Sequence, residues 1–209
     1  MKHALRLGLV PFILLALLAL SGQAAAQTPP PTDLWTHGTT LSGVVGVAAA
    51  SSRSGAMAGG AVGWEVTPSF GVDGTAAWFD RPGASESFTA ALGVHANLLT
   101  SGRLLPFVKG SFGLYRASFD MARDDTDMPD FYRRRLGVSN GAVGAPRTFT
   151  DPSFAAGGGI EVFTMRHWAV RPQIEAIVVR RDSRSHVVTA LTLQIAYHFE
   201  NHPGRPARD

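Results

Sequence analysis

The stretch SHVVTALTLQIAYHF, residues 185–199, decides the fold. Val187, Thr189, Leu191, Leu193, Ile195, Tyr197 and Phe199 hold one set of alternate positions. Val188, Ala190, Thr192, Gln194, Ala196 and His198 hold the other. Successive side chains of a strand point to opposite faces, so this alternation reads as a strand between two different environments.

The same period recurs upstream. In 104–119, Val108, Phe112 and Leu114 oppose Lys109, Ser111, Gly113 and Tyr115. In 86–99, Phe88, Ala90, Leu92, Val94 and Leu98 oppose Thr89, Gly93, His95 and Asn97. In 167–180, Trp168, Val170, Ile174 and Val178 oppose Arg171, Gln173 and Glu175. Segments 39–50, 56–66, 70–79 and 154–163 follow less cleanly, and the faces of the first cannot be assigned because nearly all its residues are small and apolar. The spacing predicts eight antiparallel strands in all.

Composition selects the kind of barrel. Charged residues make up 17% of the chain and lysine occurs only at Lys2 and Lys109, too few to cover a water-facing exterior. The less apolar face carries Gly, Ala, Ser and Thr with scattered charges. Small side chains suit the inside of a narrow barrel. Trp64, Phe70, Trp78, Phe88, Phe119, Phe154, Trp168, Tyr197 and Phe199 gather near predicted strand ends, where membrane barrels carry aromatic girdles. The expectation is an all-β, eight-stranded antiparallel up-and-down transmembrane β-barrel over 39–199, lying in outer-membrane lipid.

The flanks fit an exported chain. Lys2 and Arg6, a Leu-rich run over 7–20 and the small residues Ala24, Ala25 and Ala26 form a secretory signal peptide over 1–26. A Pro-rich leader, 27–38, precedes the barrel and a short tail, 200–209, follows it. The formal charge of +3 falls to +1 without Lys2 and Arg6, so the basic balance does not point to nucleic acid. No cysteine is present, which removes disulfides and thiolate metal sites.

The expected turns at 67–69, 100–103 and 164–166 are tight. The other connections, 51–55, 81–85, 120–151 and 181–184, belong at the outer end if the N-terminus starts inside. The 120–151 segment carries Arg123, Asp124, Asp125, Asp127, Asp130, Arg133, Arg134 and Arg135, and reads as a solvated outer loop open to an extracellular partner.

The chain resembles the OmpA/OmpX-like family of small outer-membrane barrels over about 39–199. GGGIEVFTMRHWAVRPQIEAIVV, 157–179, resembles that family's penultimate hairpin, and LTLQIAYHF, 191–199, its last strand. The resemblance implies recognition of the terminal aromatic by the barrel-assembly machinery and contact with lipopolysaccharide. The tail is too short for a peptidoglycan-binding domain.

The site expected from alternation is an interior polar network of Glu65, Asp73, His95, Lys109, Glu161, Arg171, Glu175 and His198. Buried charges must pair and hydrogen-bond, and an eight-stranded barrel leaves room for little beyond its own side chains. A non-enzymatic structural or surface-interaction role follows, with no cofactor or metal. One alternative is an OmpW-like passage for small apolar solutes, which an apolar lining near the outer rim would favour. Another is a lipid A-modifying barrel enzyme. Ser139-Asn140 is similar to the motif of the lipid A deacylases, but Gly137 stands where they have a His, and no nearby base could activate Ser139. The run 157–159 is not a phosphate loop, since no strand–turn–helix unit surrounds it.

Overall fold

The computed structural model describes residues 38–50, 53–81, 85–100, 102–119, 129–134, 147–165 and 167–199. Eight strands run in chain order: β1 (Gly38–Ala50), β2 (Arg53–Thr67), β3 (Phe70–Arg81), β4 (Ser85–Asn97), β5 (Leu104–Phe119), β6 (Arg147–Phe163), β7 (Trp168–Arg181) and β8 (Arg184–His198). Each pairs antiparallel with its neighbour, and β1 pairs with β8, so the sheet closes as an up-and-down barrel. Closure leaves neither sheet edge open along the barrel wall. One short helix, α1 (Asp130–Arg133), lies between β5 and β6.

The two faces of the sheet invert the arrangement of a water-soluble protein. Leu41, Val62, Leu92, Phe112, Ile174 and Ile195 are exposed on the outside. Thr40, Ser87, His95, Glu161, Gln173 and Gln194 are buried inside. An apolar surface of this extent marks a membrane-facing wall. In β1 the pattern is also resolved: Thr40, Ser42, Val44, Ala48 and Ala50 point in, and Leu41, Val45 and Val47 point out. Trp64, Phe70, Trp168 and Phe199 form an outer belt at one end, where Tyr197 packs its ring 5.1 Å from both Trp168 and Phe199. Trp78 and Phe88, register partners, lie on the outside toward the other end.

Three expectations need correction. Phe119 is not a girdle residue. It is buried in the lumen, 4.9 Å from the Tyr132 ring. The 120–151 loop is shorter than its sequence implies, because β6 begins at Arg147. The polar, Pro-containing run 147–152 pairs with β5 but not with β7. Paired on the β5 side alone, it carries Arg147, Thr148, Thr150, Asp151 and Pro152 in place of apolar alternation, which is why it reads as loop. Connection length also fails to separate the two ends. Only two residues separate β1 from β2 and β7 from β8. The 120–146 segment alone distinguishes a loop end from a turn end. The 1–26, 27–37 and 200–209 segments lie outside the described residues.

Candidate functional site in the barrel lumen

The lumen is divided into two chemically different halves. The turn-end half is mainly polar and ionic, with a small apolar cluster of Leu105, Phe163, Ala169 and Ala196 beside it. Its residues reach one another because glycines hold the positions between them. Lys109 on β5 is in register with Gly157 on β6, and Gly157 with Glu175 on β7. A Cβ on Gly157 would come within 3.1 Å of the Glu175 Cβ. Its absence lets Lys109 Nζ cross β6 and stand 3.6 Å from Glu175 Oε1. On its other side Lys109 Nζ lies 3.8 Å from Asp73 Oδ1. The other Asp73 oxygen is 3.3 Å from His95 Nδ1, and Thr75 Oγ1 donates to Asp73 Oδ1 at 3.4 Å. Gly71, in register with His95, leaves the imidazole its space.

A second cluster spans β6, β7, β8 and β1. Glu161 Oε1 lies 3.0 Å from His198 Nε2 and 3.4 Å from Arg171 Nε, with the Glu161 side chain 1% exposed. His198 Nδ1 is 3.3 Å from Thr40 Oγ1, which ties the last strand to the first. Phe107 separates the clusters. The Arg171 guanidinium carbon sits 4.7 Å from its ring centroid, and the His95 ring approaches it edge-on at 6.3 Å. Such cation–π placement favours a desolvated arginine. Between the clusters is a polar cavity of about 20 Å³, lined by Asp73, His95, Lys109, Arg171, Gln173 and Gln194 among others. That is room for a single water. Glu65 is buried on the inner face of β2, where the β2–β3 register shifts between Glu65 and Thr67.

The loop-end half is apolar. Phe79 and Tyr115 meet with centroids 5.9 Å apart, and Met57, Ile177, Val179 and Val188 fill the wall around them. Helix α1 closes this half. Tyr132 is 0% exposed, with Phe149 5.4 Å and His186 5.6 Å from its ring. Phe131 stacks on His186 at 5.9 Å. Reading 120–151 as a solvated loop overlooks these two side chains. The available signal was an adjacent aromatic pair inside an otherwise charged stretch. At the rim Arg181 Nη1 contacts buried Asp151 Oδ1 at 3.3 Å.

The chemistry open to this interior is narrow. Glu161 with His198 has the composition of an acid–base pair, but both side chains are sealed from solvent on every side. A general base must come within hydrogen-bond reach of a substrate proton. Ser139 and its neighbours lie outside the described residues.

A closed eight-stranded barrel with an apolar outer wall and an ion-paired interior defines a membrane-spanning β-barrel protein. The family description "Outer membrane protein beta-barrel domain" matches residues 12–199, and the chain belongs to that family. No curated protein matches it. Among solved structures it is similar to Neisserial surface protein A, with 9% identity and a TM-score of 0.57 over 78% of this chain and 97% of that one. It is similar to the N-terminal β-barrel domain of Pseudomonas aeruginosa OprF, with 9% identity, a TM-score of 0.52 and coverage of 78% and 100%. Ail, the attachment invasion locus protein of Yersinia pestis, solved in complex with the heparin analogue sucrose octasulfate, shares 13% identity and a TM-score of 0.51 over 79% and 100%. At such identities the likeness is one of fold.

Proposed function

We propose that this protein is exported to the outer membrane, sits with its α1-bearing end outward, and acts there as a closed, non-enzymatic barrel with an envelope-structural or surface-interaction role. The observation that carries this reading is the filled lumen. Aromatic side chains and α1 occupy the outer half, and ion pairs occupy the inner half with a cavity of about 20 Å³ between them. A channel needs a continuous water path, and a barrel of eight strands has no width to spare for one. Phe199, on the outer face at the end of the last strand, is the residue offered to the assembly machinery.

Single-channel recording across a planar bilayer tests it. The folded protein is expected to leave the bilayer without conductance steps, and regular steps that vanish on omitting the protein would overturn the reading. The aromatic lining of the outer half favours one further reading, passage of small apolar solutes through a lateral opening. Phe131 and Tyr132 fill the entry, so Tyr132→Ala should then speed uptake of an apolar dye into proteoliposomes. An unchanged rate disposes of that alternative.

A further inference from the structure

The pairing of β6 with β7 breaks off within the wall. It runs from Ser153↔Val179 to Gly159↔Gln173, lapses, and resumes at Val162↔Val170 and Phe163↔Ala169. By contrast β5 and β6 pair without a break from Leu104↔Val162 to Phe119↔Arg147, and β1 and β8 from Thr40↔His198 to Ala49↔Thr189. The register is the same on both sides of the lapse, so no bulge accounts for it. The missing pairs are Ile160 with Pro172 and Glu161 with Arg171. Pro172 has no N–H and cannot complete a ladder.

Packing does not make up the loss. Gly157, Gly158 and Gly159 bring no side chain to the junction, and a Cβ on Gly159 would collide with the Pro172 carbonyl oxygen. Cross-strand side-chain pairs are the ordinary unit of sheet stabilisation. Pro172 faces outward between Val170 and exposed Ile174, in the apolar wall. Backbone groups in lipid must be satisfied within the protein, so a ladder short of a donor at this depth is a cost that closure alone does not explain. Inside the lumen, charges stand where the ladder fails. Glu161 and Arg171, the facing residues of the lapse, form an ion pair at 3.4 Å. Asp151 and Arg181, two positions beyond Ser153↔Val179, form another at 3.3 Å. Lys109 reaches over β6 to Glu175 on β7 at 3.6 Å, and Glu161 reaches over β7 to His198 on β8 at 3.0 Å. The Glu161–Arg171 contact is ionic only, since Arg171 Nε is buried without a hydrogen bond. A buried pair of this kind holds only while both charges are present.

We propose that β6–β7 is a latched junction, where the wall of the native barrel parts while β1 and β8 stay paired, and that the Glu161–Arg171 and Asp151–Arg181 pairs are its latches. Parting there turns the polar cavity beside Arg171 and Gln173 toward the lipid side, past neither the α1 plug nor the turn-end clusters. The resting barrel stays closed, so the latch does not depend on the role given to the closed lumen.

The test is amide hydrogen exchange, read by NMR on the full chain folded in phospholipid nanodiscs, because exchange from the native state reports local opening. Amides bonded across β6–β7 should exchange about 10-fold or more faster than amides bonded across β1–β8 at matched depth. Pro172→Val supplies the missing N–H and should slow exchange along β6–β7 about 10-fold while leaving β1–β8 unchanged. Arg171→Met breaks the latch at the lapse and should speed exchange along β6–β7 alone. The chain has no cysteine, so disulfide staples can be placed cleanly. Ala156→Cys with Ala176→Cys, register partners on the outer face, staples β6 to β7. Val45→Cys with Leu193→Cys does the same for β1 and β8. Oxidising the first staple should slow exchange along β6–β7 about 10-fold relative to the reduced form of the same variant, and oxidising the second should not. Equal exchange along the two junctions, faster exchange along β1–β8, or equal slowing of β6–β7 by both staples would overturn the latch. So would a folded Pro172→Val variant that exchanges like the natural chain. A gel-mobility change on boiling reports whether each variant folds. Should Pro172→Val fail to fold, the staples still decide, since each compares two redox states of one molecule.

Discussion

Replacing Lys109 by Met removes one charge and leaves two carboxylates facing each other across the lumen. In the folded protein the Lys109 side chain is 5% exposed and stands 3.8 Å from Asp73 and 3.6 Å from Glu175. With an effective dielectric near 20, each contact contributes about 4–5 kcal/mol of attraction. Burying the ammonium costs several kcal/mol in return. Neither contact is short enough to be a hydrogen bond, so the balance falls at the low end of what breaking a buried pair costs, about 3 kcal/mol. Urea unfolding from phospholipid vesicles would measure it. Trp64, Trp78 and Trp168 face outward and report departure from lipid by fluorescence. Neutralisation by Lys109 has a second consequence. Adding Asp73→Asn and Glu175→Gln to Lys109→Met removes the stranded carboxylates and should restore most of the lost stability. A single-variant loss below about 1 kcal/mol, or a triple variant no better than the single, would refute the idea that Lys109 neutralises this cluster.

Gly71→Ala would put a Cβ 2.6 Å from His95 Nε2, forcing the imidazole away from Asp73. The same vesicle unfolding should show a loss of about 1–3 kcal/mol, partly recovered by His95→Ala in that background. Leu92, 76% exposed on β4, tests the outer wall. Leu92→Arg should cost about 2–4 kcal/mol in a bilayer, whereas at a water-facing position it would change stability by no more than about 0.5 kcal/mol.

Strand alternation made the barrel legible because lipid and lumen impose opposite demands on adjacent residues. It separated Leu193 from Gln194 and Phe112 from Ser111 without any knowledge of their neighbours. It fell silent wherever that contrast disappears. In β1, Ala48, Ala49 and Ala50 satisfy either face equally. The run 147–152 has no β7 ladder partner, so polar residues and Pro152 are tolerated within a strand. Phe119 shows the opposite failure, since an aromatic at a strand end suits a lipid interface and an aromatic-filled mouth alike. For the lumen, alternation assigns a face but not a partner. That Lys109 reaches Glu175 depends on register across β6 and on the missing side chain of Gly157, and register is a long-range property.

The contact between Thr40 and His198 joins residues 158 positions apart, whereas every other strand pairs with its neighbour in sequence. Loop-closure entropy grows with the length enclosed, and distant pairings form slowly. The seven hairpin pairings can therefore assemble one after another while the chain is still arriving, but the seam cannot. Until β8 is in place, β1 keeps an unpaired edge through the whole of folding, and that edge is a template for any other strand it meets. Glu161 holds His198 at 3.0 Å in the closed barrel and so anchors the last strand at this seam. The final residues of the barrel thus govern when the first strand ceases to be an aggregation hazard.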